Sequence, residues 1–398
     1  MELNPNMRYR AGAGGDMLSV LGYGCMRFSR RGAGIDLEKA KAELREAIEG
    51  GVNYLDTAYI YPGSEAAVGK ILESTGLRDR VYIATKLPQY LIKSRAGIEK
   101  TFREELSRLR TDHIDYYLMH MITDAASWRK LEGLGIREWI AEKKLSGEIR
   151  HIGLSFHGST AIFLEVLNAY DWDFCQIQYN YMDEYSQAGR RGLEAAQAKG
   201  VPVIIMEPLR GGRLVSMLPK AAQARIAANP RGYTAAQWAL NWLWNQPGVT
   251  CVLSGMNSLE MVRENLRSAA QAQAGMLTDE DLKLIDEIQN DLNGANRVGC
   301  TGCGYCMPCP QGVDIPAAFR CLNDIEISGK FAALKSYWQV TAIRQTPGSA
   351  SRCIGCGKCE RHCPQGLPIR EKLKEAAREL EPPIYRAVCW LVQRWKPW

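Results

Sequence analysis

Gly51-Val52-Asn53-Tyr54-Leu55-Asp56-Thr57-Ala58-Tyr59-Ile60-Tyr61 is the stretch on which the fold turns. An apolar run ends on a carboxylate, Asp56, and a phenol follows at Tyr61. A carboxylate placed where a buried strand runs out is costly unless something opposes it. Two later runs stop in the same way. Val81-Tyr82-Ile83-Ala84-Thr85 ends on Lys86, and Tyr116-Tyr117-Leu118-Met119 ends on His120. Laid side by side as parallel strands, these segments bring an acid, a base, a phenol and an imidazole to one end of one sheet.

Outward from this stretch, short apolar runs alternate with segments of helical period. Strands are predicted near 21–25, 53–57, 81–85, 115–119, 150–154, 174–178, 202–206 and 250–254. Helices are predicted near 37–49, 65–74, 97–109, 129–143, 159–168, 189–199, 234–244 and 258–270. Eight such pairs over about 250 residues are the pattern of an α/β fold with a parallel (β/α)8 TIM barrel. A doubly wound sheet would want a Gly-rich phosphate loop after its first strand, and Gly22-Tyr23-Gly24-Cys25 is a poor one. Met7 to Ser19 reads as a hairpin before the barrel, and Thr278 caps a last helix running to about Leu292. The polar stretch from Asn290 to Gly299 is a linker. Three units are expected: a barrel over 1–294, a cysteine-rich module over 295–383 and a basic, aromatic tail over 384–398.

The chain has 398 residues, 46% hydrophobic and 24% charged, the balance of a soluble globular protein. No apolar run reaches the ~18 residues of a spanning helix, and Met1 to Arg10 has no signal core, so a cytoplasmic setting is expected. Cysteine is unevenly placed. Three of thirteen lie in the first 299 residues and ten in the rest. Residues 300–398 carry 14 Lys and Arg against 8 Asp and Glu, which accounts for the whole net charge of +6. A basic tail can bind nucleic acid, but anionic clusters held by these cysteines account for the charge better, and no nucleic-acid partner is expected.

The cysteines fall in two runs. Cys353-x2-Cys356-x2-Cys359-x3-Cys363-Pro364 has the spacing of a bacterial iron–sulfur site, and Cys300-x2-Cys303-x2-Cys306-x2-Cys309-Pro310 is one residue short before its last member. Four-cysteine zinc sites use similar spacings, yet two paired runs with Cys-Pro ends favour two [4Fe-4S] clusters. The segments 315–327, 330–343 and 369–380 look helical, so the module resembles an α-helical two-cluster ferredoxin. That resemblance implies that each cluster takes three thiolates from one run and its fourth from the other. Cys300, Cys303, Cys306 and Cys363 would hold one cluster, and Cys353, Cys356, Cys359 and Cys309 the second. Cys321 and Cys389 lie on helix-like segments and are not expected to be ligands.

Asp56-Thr57-Ala58 with Tyr61, Thr85-Lys86 and Leu118-Met119-His120 together resemble the aldo-keto reductase family over residues 8 to 290. The resemblance implies hydride transfer between NAD(P)H and a carbonyl or alcohol. Tyr61 would act as general acid, with its pKa lowered by Lys86, itself held by Asp56, and His120 would position the substrate oxygen. Ser155 and Gln178 match the carboxamide positions. Pro208, Leu209, Gly211 and Gly212 match the loop after the seventh strand, and Ser254, Gly255, Glu264 and Asn265 match the adenosine end. Met206 stands where the family has a stacking tyrosine. Gly255-Met256-Asn257 stands where it has a basic pair for the 2′-phosphate, with only Arg263 close by, so NAD and NADP both remain in play. Met26, Tyr59, Met121, Phe156 and His157 are expected to line the pocket, with Met26 touching the cofactor.

A hydride carries two electrons, whereas a cluster accepts one at a time, which makes a flavin a candidate third cofactor. A redox protein partner is a candidate for the same reason. The competing function is an electron-transfer subunit whose barrel is only a platform between ferredoxin-like partners and a flavin or multi-subunit enzyme. The tail, from Ile384 to Trp398, suits packing on its own module, a second copy of the chain or weak contact with a membrane surface.

Overall fold

The structure is a computed structural model that describes residues 3–294, 297–300, 302, 304–342, 347–363 and 365–395. Eight parallel strands close into a barrel. They are β1 (Leu21–Gly24), β2 (Tyr54–Asp56), β3 (Tyr82–Leu87), β4 (Ile114–Ile122), β5 (Ile149–Phe156), β6 (Phe174–Gln178), β7 (Val203–Met206) and β8 (Val249–Ser254). Each predicted strand is present. The helices follow as predicted, with two differences. The fourth is split at Leu134-Gly135 into Ala125–Gly133 and Ile136–Leu145, because Gly135 takes a left-handed φ of 77°. The loop after β7 carries two unpredicted helices, Arg213–Ser216 and Lys220–Ala228. Side-chain caps fix the helix starts: Asp36, Ser94, Asp124, Thr234, Ser258 and Thr278 each accept a backbone N–H from the first turn.

Successive strand residues point alternately into the barrel and out toward the helices. The outward set, with the helix faces, forms the large core. The inward set is a second core of Tyr54, Tyr82, Ala84, Tyr116, Leu118, Phe174, Ile204, Cys251 and Leu253. Gly22 of β1 faces this core. A Cβ there would lie 2.8 Å from both Cys251 Sγ and Leu253 Cδ2, so only glycine fits. Two residues further along their strands, Tyr54 gives way to Asp56, Ala84 to Lys86, Leu118 to His120, Phe174 to Gln176 and Ile204 to Met206. The layer above the apolar plug is therefore polar, and it lies at the C-terminal ends of the strands, where barrels of this kind carry their sites.

The opposite end is closed by a hairpin of Tyr9–Ala11 and Met17–Ser19, which packs Ala13 and Leu18 under the inner core. Its turn residue Asp16 accepts from Tyr82 Oη at 3.2 Å and Tyr116 Oη at 3.1 Å, and lies 2.9 Å from His151 Nε2. C-terminal to the barrel, the helices Ile315–Ser328, Lys330–Thr341 and Ile369–Leu380 build a separate core around Phe319, Leu322, Tyr337 and Leu373. The tail forms a helix, Pro383–Trp395, whose Tyr385 is buried in that core and bonds Thr341 and Ser349. Ile384, Trp390 and Leu391 of the same helix are exposed. Among the described residues no helix is long and apolar enough to cross a membrane.

Asp16→Ala leaves two phenols and an imidazole without their acceptor. The expected cost is about 3 kcal/mol, read as a lower urea midpoint. An unchanged midpoint would mean that the packing of Leu18 and Ala13 alone holds the hairpin.

Candidate functional site

Lys86 is 1% exposed, and its ammonium is held from three sides. It donates to Asp56 Oδ1, Asp56 Oδ2 and the Thr57 carbonyl, each at 2.7 Å. An ammonium has three donors, so none remains for Tyr61. The ring of Tyr61 stands over this charge, 5.3 Å from Nζ, and meets His120 edge to face at 6.1 Å. The expectation that Lys86 lowers the Tyr61 pKa does not hold. Burial first, then the negative charges of Asp56 and Glu207, push the phenol up. His120 is held neutral by burial and then by the charge of Lys86. Its Nδ1 is enclosed with no partner.

Gln176, which no motif singled out, donates to Asp56 Oδ2 at 2.9 Å. It lies beside Ser155 across the β5–β6 ladder. Ser155 Oγ and Gln176 Oε1 are buried without hydrogen-bond partners, an arrangement that fits the amide of a nicotinamide. Gln178 is engaged elsewhere. It donates to Asp183 at 2.9 Å and accepts from Gln187 at 2.8 Å. Met206, the last residue of β7, is partly buried against the inner core. Met26 is 53% exposed at the rim.

In the loop after β7, Pro208 is buried, and Arg210, Gly211 and Gly212 all take left-handed φ values, of 48°, 71° and 92°. Glycine accepts this freely and arginine does not, so Arg210 needs an anchor. It donates to both Asp183 oxygens at 2.9 and 2.8 Å, and to Asp324 of the 315–328 helix at 3.2 Å. Arg27 lies against the same loop. Its side chain would meet a Cβ added at Gly211 or Gly255 at 2.9 and 3.0 Å, and it pairs with Glu207 at 3.6 Å. At the adenosine end, Asn265 donates to Ser254 at 3.0 Å and Glu264 accepts from Thr234 at 2.6 Å. Arg263 is paired with Glu46, away from the loop.

The C-terminal cysteines line two cavities. Cys300, Cys306 and Cys363 face one, with Ile315 and Phe319. Cys306, Cys309, Cys353, Cys356 and Cys359 face the other, of about 310 Å³. Cys303 and Pro364 lie outside the described residues. Among the described residues no three metal-ligating side chains converge on one point. Thiolates spread around a cavity suit a bulky cluster, whereas a zinc ion draws its four sulfurs to ~2.3 Å. Cys321 is fully buried and lines neither cavity. Burial lowers the pKa of His157, at the mouth, to about 4; its contact with Gln187 opposes this and the charge of Arg320 adds to it. The unfolded imidazole titrates near ~6.5, so the unfolded chain binds the extra proton between these values. Stability present above the upper value should fall as the pH drops toward 4, and His157→Gln should flatten the slope of urea midpoint against pH. Equal slopes would remove His157 as a cause.

The aldo/keto reductase family pattern matches residues 20–290, and that of a 4Fe-4S dicluster domain matches residues 299–367. Among relatives, the uncharacterized oxidoreductase YqkF of Bacillus subtilis (strain 168) is 27% identical over 314 residues, covering 70% of this chain and 96% of that protein. Methylglyoxal reductase DkgB of Salmonella typhimurium is 30% identical over 248 residues, covering 61% and 85%. Among solved structures, the holo form of aldo-keto reductase AKR11C1 from Bacillus halodurans aligns with a TM-score of 0.59 at 27% identity, covering 71% of this chain and 96% of that one. An aldo/keto reductase from Klebsiella pneumoniae in complex with NADP and acetate aligns at 0.57 and 26%, covering 71% and 95%. The pattern spans well over half the chain and coincides with the strand-end tetrad, so the protein is an oxidoreductase that belongs to the aldo/keto reductase family, with a 4Fe-4S dicluster domain after the barrel.

Proposed function

We propose that the barrel reduces a small carbonyl substrate with NAD(P)H, and that Tyr61 is the proton donor. The observation that carries this is the Lys86–Asp56 pair, sealed beneath Tyr61 and His120 at the mouth. Reduced nicotinamide, when bound, supplies the hydride. Ser155 Oγ and Gln176 Oε1 are free to hold its amide, and the loop 208–212 and residues 254–255 and 264–265 are placed to hold the rest. Because its pKa is raised, Tyr61 holds its proton at neutral pH and gives it up only as negative charge develops on the carbonyl oxygen. Neutral His120, with Nδ1 enclosed, donates from Nε2 to the same oxygen and sets its place. Lys86 acts by its charge alone, since its three protons are taken. We assign Asp56, Tyr61, Lys86 and His120 to catalysis on these grounds.

The C-terminal module is proposed to hold two [4Fe-4S] clusters, one on Cys300, Cys303, Cys306 and Cys363, the other on Cys309, Cys353, Cys356 and Cys359. The two cavities support the crossed pairing, since Cys363 faces the first run and Cys309 the second. A boundary near 294 divides barrel from module, and the segment after 383 is a helix that packs on the module through Tyr385 rather than a separate tail. Single electrons held there suit a redox protein partner, and a two-electron carrier such as flavin would have to stand between them and hydride chemistry. A reducing, cytoplasmic setting suits such clusters and is the location proposed.

Tyr61→Phe should lower kcat for aldehyde reduction by ~10²–10⁴-fold and leave the Kd for NADPH nearly intact. Turnover close to wild type would exclude Tyr61 as the acid. Cys309→Ser should cost the iron held by the second run, although Cys309 lies in the first. Loss of cluster should also loosen residues 300–398 to protease while the barrel stays folded. Unchanged iron content and an intact module would show that Cys309 is not a ligand.

A further inference from the structure

The 315–328 helix meets the barrel through Asp324, which binds Arg210 in the loop after β7. Arg320 lies one helical turn earlier, so the two side chains share a face, and that face is turned to the barrel mouth. Arg320 is partly buried there. Its positive charge acts on His157 at the end of β5 and on Asp183 after β6. Among the described residues it donates no hydrogen bond and enters no ion pair. Asp183 and Asp324, the nearby carboxylates, are both bound by Arg210. A guanidinium presents five donors in a planar fork that fits a carboxylate. Leaving all five unused in a half-enclosed place is costly.

We infer that the substrate carries a carboxylate, and that Arg320, contributed by the cluster module, receives it at the β5–β6 edge of the barrel mouth. This rests on the reductase reading, which it narrows to carbonyl compounds that are also acids. The site is composite, with the reacting oxygen placed by Tyr61 and His120 of the barrel and the remote anion by the second module. The adenosine end, at Ser254 and Asn265 after β8, is a different quarter of the mouth. That argues against a phosphate at the adenosine end as the source of the anion.

The test uses the full-length holoprotein and paired probes, succinic semialdehyde against butanal and glyoxylate against acetaldehyde. Wild type should show the higher kcat/KM for the acid in at least one pair. Arg320→Gln, with iron content equal to wild type, should lower that acid-to-neutral ratio by roughly 10–100-fold. Arg320→Lys should restore part of it, since lysine keeps the charge but not the fork. Succinate, which cannot be reduced, should raise the Tm of wild type and not of Arg320→Gln. If no aldehyde is reduced yet succinate still acts through Arg320, the reductase reading fails and the anion site stands. No acid preference in wild type, a ratio that survives Arg320→Gln, or a loss confined to NADPH affinity would each overturn the inference.

Discussion

A lysine with 1% of its surface exposed is the constraint on which the site depends. Burying an ammonium costs several kcal/mol unless its partners surround it. Here two carboxylate oxygens and one carbonyl do so, all at 2.7 Å. They come from the end of β2, and Lys86 comes from β3, so the pair also locks the register of two adjacent strands. Gln176 adds a bond to Asp56 from β6, across the barrel. Removing either charged partner would leave the other buried and unpaired, at about 3–5 kcal/mol. The pair is therefore a structural commitment before it is anything else. It forms a fixed floor beneath Tyr61, whose phenol burial first, and then the Asp56 charge, hold above its ordinary pKa.

A second buried cluster of charge joins the two halves of the chain. Arg210 sits in a backbone conformation that arginine rarely takes, and three bonds from Asp183 and Asp324 hold it there. Asp183 in turn takes the Gln178 amide. A residue between the two cysteine runs thus reaches, through two intermediaries, both the loop after β7 and the last residue of β6. Gly302, inside the first cysteine run, adds a contact of another kind: a Cβ there would stand 3.0 Å from the carbonyl of Tyr185, so the run lies directly on the loop after β6. The cluster module is built against the same quarter of the mouth that holds Ser155 and Gln178.

The barrel was legible because its information is local. Asp56, Lys86 and His120 each follow an apolar run by one step of the two-residue strand period, and that step carries them from the plug into the polar layer. Gln176 has the same inward parity as Phe174 and Gln178 and could have been found by extending the period. The charge state of Tyr61 could not. Which acceptors use up the three protons of Lys86 depends on the Thr57 carbonyl and on the exact approach of Asp56, neither of which a motif records. The helices Arg213–Ser216 and Lys220–Ala228 were missed because the loop between Gly212 and Pro230 has no clear apolar stripe. Asp324 was invisible for a simpler reason. Its partner Arg210 is 114 residues away in the chain, and nothing in either local sequence points to the other.

The shortened first cysteine run shows how spacing and fold trade off. Cys309, one residue early in its run, lines the cavity of the second run, and Cys306 lines both cavities. Cys306 therefore sits on the wall between the two cavities, and Cys309 faces the second run. The crossed pairing proposed above would make each cluster depend on both ends of the module, and the helices Ile315–Ser328 and Lys330–Thr341 lie in the chain between those ends. Binding a cluster then closes a loop that includes the helix carrying Asp324 and Arg320. Metal binding that is also folding energy would in this arrangement set the position of the two side chains that the module presents to the barrel. The iron–sulfur chemistry and the shape of the reductase mouth are in that sense one structural problem, whether or not electrons ever pass between them.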